Sequence, residues 1–163
     1  MIFLTVGTVL PFDRLVRAVD QAVAARLITE PVFAQIGESH LRPKNMDWVT
    51  ALEKSAFDQK IAAASFVISH AGMGSMMIAL EHHKRLLVMP RMRRHGEHVN
   101  DHQVASARRF AQMGCVLAAY ESKELALRLR EMESFVPTFP PSQTDRVAQR
   151  IAQFLAGIKP VSI

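Results

Sequence analysis

Short apolar runs of four to six residues, each closed by glycine, proline or a polar turn and most of them followed by a helical pattern, recur along the chain. The run Ile2 to Val6, "IFLTV", stops at Gly7, and Pro11 then opens a segment in which Leu15, Val16, Val19, Val23 and Ala24 return at helical spacing. "PVFAQIG", Pro31 to Gly37, reads as a second strand. A polar stretch with the only Trp follows, then a helix over about Thr50 to Ala64. The same alternation gives a strand at Phe66 to Ser69, a helix at Gly74 to His83 and a strand at Leu86 to Met89. It ends with a helix at Asn100 to Met113, the strand "CVLAA", a helix near Ser122 to Glu131, and a last amphipathic helix carrying Val147, Ile151, Phe154 and Leu155. Strands that are apolar on both faces and separated by helices predict an α/β fold, a Rossmann-like open parallel sheet with helices on both faces. At 163 residues and 49% hydrophobic side chains, with no Gly/Ser linker, the chain is expected to form one domain, 1–163.

Composition narrows the function classes. A net charge of +5 suggests anionic ligands, but the cations are scattered except for "RMRRH", Arg91 to His95. With one Trp and one Tyr there is no stacking platform for bases, so no nucleic-acid partner is expected. The single Cys115 lies in an apolar run and reads as a buried thiol. The first ten residues lack a basic segment before their apolar run, and no apolar stretch approaches the roughly 20 residues that span a bilayer, so a cytoplasmic setting is expected.

In open α/β sheets, ligands bind beyond the carboxyl ends of the strands. That rule selects the loops at Gly7 to Leu10, Gly37 to His40, His70 to Ser75 and Pro90 to Gln103. "HAGMGS", His70 to Ser75, joins a strand to a helix. Gly72 and Gly74 admit an anion close to the backbone, and Ser75 and the helix N-terminus supply donors. It lacks the Gly-Lys-Ser/Thr of a Walker A loop and the third glycine of GxGxxG. A turn that merely starts a helix remains the alternative. In "RMRRHGEHVNDHQ", His95, His98 and His102 stand beside Glu97 and Asp101, a spacing that invites a zinc-type site and a metal-dependent hydrolase, although the pattern is not HExxH. The same segment suits a sugar phosphate: Asn100, Asp101, His102 and Gln103 offer mixed donors and acceptors, and Arg91, Arg93 and Arg94 offer cations. Asn100 is also a candidate helix cap. His82 and His83 read as cations at a helix C-terminus.

"IFLTVGTVLPFDRLVRAVD", "VISHAGMGS" and "LVMPRMRRHGEHVNDHQ", in this order, resemble the C-terminal, nucleotide-sugar-binding half of GT-B glycosyltransferases of the family-28 type. The resemblance covers Ile2 to Leu155. It is nearest to the stand-alone catalytic subunits of eukaryotic N-glycan assembly and of bacterial exopolysaccharide synthesis, the latter called PssE. It implies a UDP-sugar donor and no separate cofactor or metal. Gly72, Gly74 and Ser75, with His70 beside them, would surround the diphosphate, and Gly7 and Thr8 would approach from the first loop. Asp101 and Gln103, flanked by Asn100 and His102, would hold the sugar hydroxyls, with Arg91 and Arg94 toward the phosphates. It further implies inverting transfer to a polyprenyl-diphosphate-linked acceptor, with His95 or His98 as candidates for proton transfer. The acceptor site would belong to a PssD-like membrane-anchored partner subunit that holds the chain at the inner face of the plasma membrane. Where the family commonly places a ribose-binding Glu, this chain has Ile78, with Glu81 three residues on. A decayed, non-catalytic binding subunit is therefore the competing reading. Three arginines before His95 favour an acidic donor sugar such as glucuronate.

Overall fold

The computed structural model describes residues 1–139. They form six strands, β1 (Ile2–Thr5), β2 (Val32–Gln35), β3 (Asp47–Val49), β4 (Val67–His70), β5 (Leu86–Met89) and β6 (Leu117–Ala118). The helices are α1 (Asp13–Ala24), α2 (Lys54–Ala63), α3 (Met73–Glu81), α4 (His102–Gln112) and α5 (Leu125–Ser134). All strand pairs are parallel, in the order β3-β2-β1-β4-β5-β6. The expected class is therefore found. The helix expected near Val147 to Leu155 lies outside the described residues.

Strand side chains alternate between two cores. Ile2, Leu4 and Val6 point to one layer, where they meet Leu15, Val16 and Val19 of α1 and Leu125, Leu129 and Met132 of α5. Phe3 points the other way, toward Ile61 of α2, Met76, Ala79 and Leu80 of α3, and Ala107 of α4. Because both faces are covered, β1, β4 and β5 are buried at every residue, which is why they read as continuous apolar runs. Cys115 is fully buried in the second core and burial raises its thiol pKa, as its apolar setting predicts.

Two boundaries differ from expectation for physical reasons. β3 is missing from the pattern because it is a three-residue edge strand with an exposed Asp47, too short and too polar to show alternation. Of the five apolar positions expected to face inward on α1, Leu15, Val16 and Val19 are buried, while Val23 is half-buried and Ala24 exposed. Ala18 and Ala22 complete the buried stripe. Among the described residues no helix is long and apolar enough to cross a membrane.

The strand order reverses at β1. From β1 the chain builds outward through β2 to β3, then returns to lay β4 on the other side of β1. The crevice between the loops after β1 and β4 is the switch point at which ligands enter such sheets.

Candidate functional site

At that switch point, Val6 to Leu10, His70, Arg91, His98 and Gln103 line a cleft of about 280 Å³. Its base is a small polar network at the strand ends. Thr5 Oγ1 donates to Gln35 Oε1 across β1 and β2 (2.8 Å) and accepts from the Gly7 N–H (3.3 Å). Gly7 then turns with φ +77°, a left-handed conformation that glycine takes without a steric penalty.

His70, the last residue of β4, is clasped between two glycines. A Cβ on Gly7 would stand 3.0 Å from its ring, and one on Gly72 would stand 2.1 Å from Nε2. Gly72 is thus required by the imidazole beside it. Burial and then the charge of Arg91 push the His70 pKa down to about 4, so the ring is neutral at physiological pH. Its Nδ1 is buried without a hydrogen-bond partner.

Gly72 is also the N-cap of α3 and offers no side-chain cap, so the N–H groups of the first turn point outward with the positive end of the helix dipole. Gly74 is exposed, and a Cβ there would meet nothing within 4 Å. The two glycines of "GMG" therefore differ. One makes room for His70; the other leaves the helix N-terminus open to a ligand. Ser75 sits half-buried in the same turn, and Thr8 is exposed on the facing loop.

The arginines depart from expectation. Arg91 is 4% exposed and turned inward, donating to the carbonyls of Val6 (2.7 Å), Leu10 (2.5 Å) and Pro11 (3.4 Å). It fastens the first loop to the end of β5 and borders the cleft as a buried charge. Arg94 pairs with Glu121, which His95 also approaches (3.4 Å). Of the three arginines offered for a sugar carboxylate, Arg91 is thus committed to protein carbonyls and Arg94 is paired with Glu121 at the surface, while Arg93 is exposed.

The "HGEHVNDHQ" residues divide among three surfaces. His98 and Gln103 face the cleft; Gln103 is buried and its Oε1 accepts the Arg91 N–H (3.1 Å). Asp101 accepts the Arg93 N–H (2.8 Å) and borders a neighbouring hollow with Arg94, Arg108 and Tyr120. His95 lines a third hollow with Pro11, His40 and Glu97. Gly96, with φ +67°, turns the chain between His95 and His98, so the two candidate proton carriers lie on different surfaces. His102 packs edge-on against His98, with ring centroids 4.4 Å apart. Asn100 is one residue short of the N-cap, Asp101; its Oδ1 accepts the His102 N–H (3.2 Å). Among the described residues no three His, Cys, Asp or Glu side chains converge as metal ligands, so the histidine segment does not assemble the metal site its spacing suggests.

Ile78 is half-buried against the second core, and Glu81 is exposed at the last residue of α3, well away from the glycine turn. His82 caps that helix and His83 follows at φ +53°, in keeping with a helix C-terminus. The sequence places Glu97 among possible metal ligands but does not join it to Arg14, with which it holds the third hollow together. They are 83 positions apart, so no local signal joins them.

Several solved structures share this fold. The chain aligns with ALG13 at 18% identity and TM-score 0.60, over 92% of this chain and 93% of that one. With the glycotransferase of kitacinnamycin the identity is 18% and the TM-score 0.58, over 95% of this chain and 39% of that one. With MurG of Acinetobacter baumannii the values are 19% and 0.55, over 81% of this chain and 40% of that one. The chain thus spans about two fifths of the latter two and nearly the whole of ALG13. Among curated protein sequences no counterpart matches it. The glycosyltransferase family 28 C-terminal domain matches residues 1–154, nearly the whole chain and every loop of the cleft, and the chain belongs to that family.

Proposed function

We propose that this chain is the donor-binding catalytic half of a two-subunit glycosyltransferase, taking a hexosyl or hexuronosyl group from a UDP-sugar. The observation that carries the reading is the uncapped N-terminus of α3 opening at the switch point beside a neutral, buried His70. Backbone donors and the helix dipole suit a diphosphate and stabilise it further as it leaves. An acceptor hydroxyl would attack the anomeric carbon as the bond to the UDP oxygen breaks, with inversion. The hydroxyl proton passes to a base, for which His98 is this chain's candidate and a partner residue the alternative.

The acceptor, read as a sugar on a polyprenyl diphosphate, would be presented by a membrane-anchored partner at the cytoplasmic face, as in exopolysaccharide or capsule assembly. Two features support a partner. The chain corresponds to about two fifths of the length of two longer relatives and to nearly the whole of ALG13. Val9 on the cleft wall, Val99 one residue beyond His98, and Met73 and Met77 on α3 expose apolar side chains, Val9 and Val99 by 78% and 81%.

The test is calorimetric titration with UDP, CMP and GDP, then donor turnover with the co-expressed partner. Tighter binding of UDP than of the others, and transfer that requires both subunits, is expected; no UDP binding with or without the partner refutes the reading. The packing of Ile78 where the family commonly has Glu favours a second reading, a subunit that binds donor without catalysing. In that case replacing Gln103 by Ala would leave the partner's transferase activity intact.

A further inference from the structure

We propose that the half-buried Arg14–Glu97 pair is a positioning device that sets the sugar-side wall of the cleft, so that discrimination between a UDP-sugar and bare UDP runs through α1. The inference rests on the donor-site reading above. From Pro90 to Asp101 the backbone has no regular structure beyond a single 3-10 turn, Arg93–His95. Something other than a helix or sheet ladder must fix it.

Glu97 closes this segment on itself: its Oε2 accepts the Met92 N–H (2.9 Å), and its own N–H donates to the Met92 carbonyl (3.2 Å). Arg14 grips both oxygens of that carboxylate, Nε to Oε1 at 2.6 Å and NH2 to Oε2 at 2.8 Å. The same guanidinium donates to the carbonyls of Pro90 (2.8 Å) and Tyr120 (2.9 Å). One side chain from the first turn of α1 therefore ties the end of β5, the irregular segment and the chain beyond β6. His98, the next residue after Glu97, borders the donor cleft, while Glu97 does not.

The two side chains are only 14% and 10% exposed. Removing two charges from water offsets most of their attraction, so such a pair is a poor source of stability. What a bidentate Arg–carboxylate contact does supply is a fixed distance and plane. A shift of Glu97 is carried directly to His98, whereas the α3 N-terminus belongs to a different loop and does not depend on it. The diphosphate end of the site should survive loss of the pair, and the sugar end should not.

Kd values for UDP and for UDP-glucuronate, UDP-glucose, UDP-galactose and UDP-N-acetylglucosamine would be measured on the full chain with its partner. Wild type, Glu97→Gln, Arg14→Lys and the double variant would be compared. For the best donor, the ratio of UDP Kd to UDP-sugar Kd should fall about tenfold in each single variant while the UDP Kd stays within about twofold. The double variant should be no worse than either single one, as two ends of one contact require. Arg14→Lys keeps a charge and a stem, and carries the test where Glu97→Gln folds poorly. Parallel loss of UDP and UDP-sugar binding, an unchanged ratio, or additive losses would overturn the inference and leave the donor site standing. A wild type that binds neither ligand removes the donor site and the inference together.

Discussion

Replacing Gly74 by Asp should move fold stability and ligand affinity in opposite directions. Gly74 is the second residue of α3, exposed, with open space where a Cβ would stand. Glycine in a helix costs about 1 kcal/mol relative to Ala, and Asp recovers only part of that on propensity alone. In the first turn its charge also meets the helix dipole, a gain of about 0.3–1 kcal/mol. The ligand-free variant should therefore be more stable by about 0.5–1 kcal/mol. A bound diphosphate would meet a carboxylate at roughly 6 Å. With an effective dielectric of about 40, each unit of phosphate charge then adds about 1.4 kcal/mol of repulsion. Two such charges give about 3 kcal/mol, on the order of 100-fold in UDP affinity. Urea unfolding gives the first quantity and calorimetric titration the second. Gly74→Asn, of the same shape without the charge, should lose only a few-fold. If Gly74→Asp binds UDP within threefold of wild type, or if Asn and Asp lose equally, the α3 N-terminus is not holding a phosphate.

Gly72→Ala should behave in the contrary way, because its Cβ would stand 2.1 Å from His70 Nε2, and Gly7 also lies close against the ring. We expect a loss on the order of 1–3 kcal/mol in urea unfolding, and a wild-type midpoint would show that His70 can move aside. The depressed pKa of His70 makes stability depend on pH. The unfolded ring binds its proton near 6.5 and the folded one only near 4, so stability is complete above 6.5, falls as pH drops from there toward 4, and levels off below. At about 1.4 kcal/mol per unit, roughly 2 kcal/mol should be lost by about pH 5. His70→Gln should abolish that part of the slope, and an unchanged slope would place the titration elsewhere. The double change Val9→Asp with Val99→Asp touches two exposed side chains and should leave unfolding within about 0.5 kcal/mol, yet reduce co-purification with the partner at least tenfold. Undiminished co-purification would remove the cleft rim from the interface.

The sheet was legible because its central strands are buried on both faces, so four apolar residues in a row, as in Leu86–Met89, leave few alternatives. The glycine turn was legible for a related reason: a strand before it and a helix after it fix where it must sit. Asp47–Val49 escaped because an edge strand of three residues pairs on one side only and keeps a charged residue. The arginines escaped for a different reason. Whether a guanidinium points to solvent, ligand or protein is decided by which carbonyls it finds, and for Arg91 those lie 80 to 85 positions away. The histidine cluster is misleading because nearness in sequence is not nearness in space. One left-handed residue, Gly96, sends His95 and His98 to different surfaces.

The inward turn of Arg91 changes how the cleft can attract an anion. Burial lowers its pKa to about 10, against the opposing pull of Glu97, which leaves the guanidinium charged at neutral pH. Its hydrogen bonds go to protein carbonyls, yet it borders the cleft and its field is one cause of the neutrality of His70. A positive charge held in the wall acts on a ligand without touching it, and a buried charge is screened by salt much less than exposed ones are. Contacts to the ligand itself would fall to backbone N–H groups and the neutral imidazole, which carry no net charge. If this division is right, UDP affinity should weaken by less than about threefold between about 0.05 and about 0.5 M salt. A site built from exposed arginine contacts would lose far more over that range, and a steep slope would return the anion to Arg93 or Arg108 on the outer surface.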